Sequence, residues 1–147
     1  MNYSIVDHLS NFQPQEEPKQ NKESKFEVSQ SHSFRDEKIE ALLLKLMPFT
    51  RTQNLSLNFL GYEEISDAGI EKLSSAIKSF TSLQNLSLHF WDCSEISDVG
   101  IEKLSSGIKL LTGLQNLLLN FRRCSKISCV GQNIIARLNP NWKVLIK

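Results

Sequence analysis

A unit of 31 residues repeats inside this chain. Residues 52–82 read TQNLSLNFLGYEEISDAGIEKLSSAIKSFTS, and residues 83–113 read LQNLSLHFWDCSEISDVGIEKLSSGIKLLTG. The offset is 31 with no gap, and 20 of the 31 positions are identical. Residues 114–131, LQNLLLNFRRCSKISCVG, begin a third copy in the same register. A unit of this length cannot cover its own apolar face, so its repetition predicts a stacked array in which neighbours cover one another. At 147 residues the chain suits one domain with a single core.

Each copy divides into two periods. In the first half every second residue is apolar: Leu55, Leu57 and Phe59; Leu86, Leu88 and Phe90; Leu117, Leu119 and Phe121. That alternation predicts a half-buried strand. In the second half Ile70, Leu73, Ile77 and Phe80 recur as Ile101, Leu104, Ile108 and Leu111. Steps of three and four predict an amphipathic helix, with Glu71, Lys72 and Lys78 on its wet side. Asp67 and Asp98 precede these helices as expected N-caps, and Cys129 is a weaker cap at the same position. A strand, a helix and another strand in sequence require parallel strands.

The run LQNLSL at 83–88, followed by CSEISDVGIEKL at 93–104, resembles the leucine-rich repeat. Its long helical half is similar to the ribonuclease-inhibitor-like class. Its Cys-x-x-Ile-Ser-Asp-x-Gly run is similar to the cysteine-containing class of F-box-associated receptors. Two extra residues, Trp91 and Asp92, separate strand from cysteine and depart from that pattern. The resemblance spans residues 36–147. It implies an α/β fold: a short right-handed solenoid with its parallel sheet on the concave side and helices on the convex side. It also implies a non-enzymatic scaffold for binding another protein. Two alternatives stay open. One is a substrate-recognition subunit of a ubiquitin ligase, although the polar tail offers no F-box helix cluster. The other is a GTPase-activating fragment, although nothing marks the positioned polar loop that this role needs.

The ends of the array follow from the same register. In DEKIEALLLKLM, Ile39, Leu42, Leu43 and Leu46 share one helix face, so a capping helix is expected over 36–47, with Asp36 as N-cap and Pro48 as stop. Shifting by 31 places Phe26 and Val28 on strand positions, which predicts a degenerate strand over 24–29. The rest of residues 1–35 reads as a disordered polar tail, because QPQEEPKQNKESKFEVSQSHS holds too little apolar surface to offset ordering entropy. Within it, residues 1–12 are either a docking segment or, in preference, a frayed terminus. The third unit, 114–138, has a shortened helix that Pro140 breaks. Trp142, Val144 and Ile146 alternate as a closing strand over 142–146.

Little in the chain suggests catalysis or cofactor binding. Its three histidines are His8, His32 and His89, and no HExxH, CxxC, GxSxG or glycine-rich phosphate loop occurs. Cys124 and Cys129 have no histidine or acid grouped with them, which argues against zinc. No metal and no cofactor are expected. Cys93 and Cys124 share one repeat position, and packed thiols are preferred there over a disulfide. No signal-peptide core or membrane-length apolar run occurs, so a cytoplasmic location is expected.

The candidate binding surface is the outward side of the sheet: Asn54, Ser56, Asn58; Asn85, Ser87, His89; Asn116, Leu118, Asn120. The loop that follows each strand changes character along the array. Leu60-Gly61-Tyr62-Glu63-Glu64 is acidic. Trp91-Asp92-Cys93-Ser94-Glu95 offers an aromatic anchor. Arg122-Arg123-Cys124-Ser125-Lys126 is basic. Trp and Arg dominate interface energetics, so Trp91, Arg122, Arg123 and Lys126 join the candidate surface. The overall charge of +1 hides a division: residues 1–102 carry net −7, and residues 103–147 carry net +8 with no acid at all. This predicts a protein partner with an acidic surface, or head-to-tail self-association. Nucleic acid is a weaker alternative, because no aromatic–basic interleaving marks the strands, and no membrane partner is expected, because no apolar run reaches membrane length.

Overall fold

Alternating Leu and Phe positions become strands because each strand can bury one side only. The structure, a computed structural model, describes residues 2–5, 23–28, 36–60, 62–138 and 143–145. Its strands are β1 (Asn2–Ile5), β2 (Glu23–Val28), β3 (Asn54–Asn58), β4 (Asn85–His89), β5 (Asn116–Asn120) and β6 (Lys143–Leu145). Its α-helices are α1 (Asp36–Leu46), α2 (Asp67–Ile77), α3 (Asp98–Ile108) and α4 (Cys129–Ala136). The fold is mixed α/β. All strands join one parallel sheet in the order β1-β2-β3-β4-β5-β6. One helix connects each pair of neighbouring strands from β2 onward. Among the described residues no helix is long and apolar enough to cross a membrane.

The 31-residue offset is the sheet register itself. Asn54, Leu55, Ser56, Leu57 and Asn58 pair with Asn85, Leu86, Ser87, Leu88 and His89. Those pair in turn with Asn116 to Asn120. Like residues therefore form columns across the sheet. The Phe59 and Phe90 rings stack at 5.0 Å and 4°, and Phe90 and Phe121 at 5.1 Å and 8°. This spacing follows that of neighbouring strands, about 4.8 Å. The core joins these rings to the strand leucines and to Ile70, Leu73, Ile101 and Leu104 of the helices. Cys93 Sγ donates to Phe59 O at 3.3 Å, and Cys124 Sγ to Phe90 O at 2.9 Å.

The helix caps differ from expectation. Ser66, Ser97 and Ser128 are the N-caps; their hydroxyl oxygens accept from Ala68 N, Val99 N and Val130 N. Asp67 and Asp98 lie one residue further in, and their carboxylates reach the next unit. Asp67 accepts from Ser97 N at 2.8 Å, Ser97 Oγ at 2.5 Å and Gly100 N at 3.0 Å. Asp98 accepts from Ser128 N, Ser128 Oγ and Gly131 N at 2.8, 2.5 and 3.1 Å. Asp36 begins α1 and accepts from Ser66 N and Oγ at 3.0 and 2.5 Å. Each aspartate thus satisfies donors at the N-terminus of the following helix, where four backbone N–H groups lack helical partners. Cys129 interrupts this series rather than capping its own helix.

The ends also differ in detail. Leu46 ends α1, and Met47–Phe49 continue as a 3-10 turn with Pro48 inside it. The degenerate strand lies over Glu23–Val28 rather than 24–29. Strand β1 falls within residues 1–12, where composition predicts no strand; parallel pairing with β2 supplies the backbone partners that its sequence does not advertise. The remainder of the polar tail, with His8 and His32, lies outside the described residues, as do Pro140, Trp142 and Ile146. The closing strand is described over Lys143–Leu145. There Leu118 pairs with Lys143, six residues short of the 31-residue offset; α4, with eight residues where α3 has eleven, accounts for three of the six.

Removing Asp67 leaves Ser97 and Gly100 donors unsatisfied, so Asp67→Ala is expected to cost about 2 kcal/mol in urea unfolding. A Cβ at Gly100 would strike the Asp67 carboxylate and lie 3.4 Å from Asp67 Cα. Gly100→Ala is therefore expected to cost about 1–3 kcal/mol. The Ser128 hydroxyl, helped by Ser128 and Gly131 N–H groups, holds the Asp98 carboxyl below the usual carboxylate range. A lowered folded pKa contributes stability above the unfolded value, about 4, and that contribution disappears as pH falls through the folded value. Urea midpoints measured from neutral pH into acid should decline, and less steeply in Asp98→Asn.

Candidate interaction surface

The outward positions of β3, β4 and β5 are half-buried, except for Asn116, which is exposed. They are more committed to one another than their composition suggests. Asn85 Nδ2 donates to Asn54 Oδ1, and Asn116 Nδ2 donates to Asn85 Oδ1 at 2.6 Å. This amide row crosses three strands and uses one N–H of each donor. At the other end of the strands, Asn58 Oδ1 accepts from Leu60 N and Asn120 Oδ1 from Arg122 N, both at 3.2 Å. These local bonds fix the chain direction as it enters the loop. His89 takes that position in the middle copy, with Nε2 2.9 Å from Ser87 Oγ. Ser56 and Leu118 complete the face.

The loops after the strands carry the strongest chemistry. Asp92 and Arg123 adopt φ of 65° and 62°, in the left-handed region. The matching position in the first copy is Gly61. Glycine occupies this region freely, and aspartate tolerates it better than arginine does. Asp92 N donates to Arg122 O at 2.9 Å and couples the two loops. Trp91 is 38% exposed. The Arg123 guanidinium carbon lies 5.6 Å from its ring centroid, a cation–π arrangement across neighbouring units. Arg122 is exposed beside this pair. Lys126 is also exposed, but its Nζ meets Glu95 Oε2 at 2.6 Å.

The structure thus brings Trp91, Arg122 and Arg123 together at one edge of the sheet. It ties Lys126 to an acid and engages five asparagines, three in the cross-strand row and two in bonds to the loops. The Gly61, Asp92 and Arg123 column was the available signal for the left-handed position. No comparable signal marked the Asn58 and Asn120 loop contacts, because β4 interrupts that column with His89.

The cysteines divide by environment. Burial pushes the Cys93 thiol far up, reinforced by the Cys124 sulfur. Burial likewise pushes Cys124 up to about 11. Both are free and buried, whereas Cys129 is free and exposed. The thiolate is the reactive form. Titration of the native chain with an aromatic disulfide reagent should therefore modify Cys129 rapidly, and Cys93 and Cys124 only after unfolding. The left-handed turn has its own check. Arg123→Ala and Arg123→Gly both remove the cation, but only glycine relieves the turn. The glycine variant should be more stable by about 1 kcal/mol in urea. No family model matches the chain, and no curated protein matches it significantly.

Proposed function

We propose that this chain is a non-enzymatic interaction scaffold of the leucine-rich-repeat kind. In this reading it is a short right-handed solenoid with a concave sheet and convex helices. The parallel sheet in sequential order supports it, together with the 31-residue register and the strong right-handed preference of strand–helix–strand crossovers. Its partner is a protein segment with acidic residues. That segment lies along the outward strand positions and reaches the edge formed by Trp91, Arg122 and Arg123.

One observation carries the assignment. An exposed tryptophan lies under an arginine guanidinium, at the end of the array where residues 103–147 contain no acid. Aromatic rings with adjacent arginines supply both contact area and charge, the combination that dominates interface energetics. The Asn54, Asn85 and Asn116 row adds amide donors and acceptors suited to an extended backbone.

A panel of immobilised acidic peptides, with and without aromatic residues, tests this reading. The best binder should lose about tenfold in affinity with Arg122→Glu plus Arg123→Glu, and its binding should weaken as salt rises. Lys78→Glu, on the distant exposed end of α2, should leave affinity unchanged. Equal binding by the wild type and the double variant would overturn the edge assignment.

A further inference from the structure

We propose that Ser125 is a phosphorylation site for a serine kinase that selects arginines two and three positions upstream. Three observations meet at this residue. First, Arg122 and Arg123 form the only Arg–Arg pair in the sequence, and Ser125 follows them at the required spacing. Second, Arg122, Arg123 and Ser125 are all exposed, on the loop between β5 and α4. Third, the 31-residue register aligns Ser125 with Ser94 and with Glu63. Glu63 is itself exposed, so the same loop position already carries an anion in the first unit. A phosphate at Ser125 would place a charge where the repeat has accepted one.

The turn does hold the substrate segment. Cys124 N donates to Phe121 O and Ile127 N to Cys124 O, both at 3.2 Å. A kinase cleft takes an extended chain, so this loop must open first. Opening is favoured by Arg123, whose φ of 62° is relieved as the turn unwinds. In the reaction, Ser125 Oγ attacks the γ-phosphorus of magnesium-bound ATP. The new Oγ–P bond forms as the bond to the β,γ-bridging oxygen breaks. ADP leaves with the electron pair, and the kinase's catalytic carboxylate takes the hydroxyl proton.

The product carries about −1.5 to −2 charges beside Arg122, Arg123 and Lys126. It neutralises the basic edge and would release an acidic partner. This consequence rests on the binding role proposed above; the modification itself does not.

The test uses the folded full chain, magnesium ATP and a purified serine kinase of the basic-directed class. Phosphate is located by peptide mass mapping, and folding is monitored by circular dichroism and by protection of the Cys124 thiol. Ser94 serves as an internal comparison in the same register, half-buried and with Trp91 and Asp92 in place of the arginines. Phosphate should accumulate on Ser125 and not on Ser94, and Ser125→Ala should abolish it. Arg122→Ala plus Arg123→Ala should slow the initial rate by about tenfold or more. Equal labelling of Ser94 and Ser125 would overturn the proposal. So would labelling confined to the urea-unfolded chain, or an unchanged rate in the double-arginine variant. Acidic-peptide binding, measured separately on the phosphorylated chain, tests only the consequence.

Discussion

Each helix after α1 is capped by its own serine, and an aspartate of the unit before it holds that serine in place. A serine hydroxyl satisfies one backbone donor of its own helix and passes its proton toward an aspartate of the preceding unit. That aspartate also accepts the serine N–H and, in two of the three bridges, the glycine N–H. Glycine is needed because any Cβ there would enter the carboxylate. The arrangement fixes the distance between successive helices and forces the repeat length to be constant. One inserted residue between serine and aspartate positions would break three hydrogen bonds at once. This accounts for the identical Ile-Ser-Asp-x-Gly run in the first two units beside loops that differ at most positions.

The rest of the molecule consists of columns that share this translation. The phenylalanine stack and the asparagine row join equivalent residues of successive units, and the thiol-to-carbonyl bonds recur from one unit to the next. The strand-core columns Leu55/Leu86/Leu117, Leu57/Leu88/Leu119 and Phe59/Phe90/Phe121 keep one residue type. Two columns toward the loops vary: Leu60, Trp91 and Arg122 share one position, and Asn58, His89 and Asn120 another. Variation is concentrated where backbone geometry is already set by its neighbours. A candidate site can therefore change chemically while its strands stay in register.

The sequence made the periods legible, and with them the strands, helices and register of residues 52–120. It did not make the bridges legible. Ser66 and Asp67 are adjacent and both are good cap residues, so local pattern alone cannot assign the cap. The deciding contact comes from a residue 30 positions away. Strand β1 was equally hidden, because a four-residue edge strand draws its definition from the neighbour it pairs with. On the candidate surface, alternation identified which side chains face outward. It could not reveal that asparagines already bond to each other or to the loop, since an amide's partner depends on three-dimensional direction. The placement of Arg123 over Trp91 joins two loops 31 residues apart and was likewise absent from local pattern.

The bridges share one direction along the repeats, and charge changes where their acids do. Acids reach forward: Asp67 to Ser97, Glu40 to Lys72, Glu71 to Lys103 and Glu95 to Lys126. Exposed ion pairs of this kind contribute little each, about 0–1 kcal/mol, but they share one polarity. In the third unit the forward-reaching positions change type. The Asp98 position becomes Cys129, the Glu102 position becomes Asn133 and the Glu95 position becomes Lys126. The third unit thus receives Asp98 and Glu95 from the second but carries no carboxylate at the matching positions of its own. The acid-free stretch from residue 103 onward includes the unit whose outgoing aspartate and glutamate positions have changed type, and Arg122 and Arg123 lie within it.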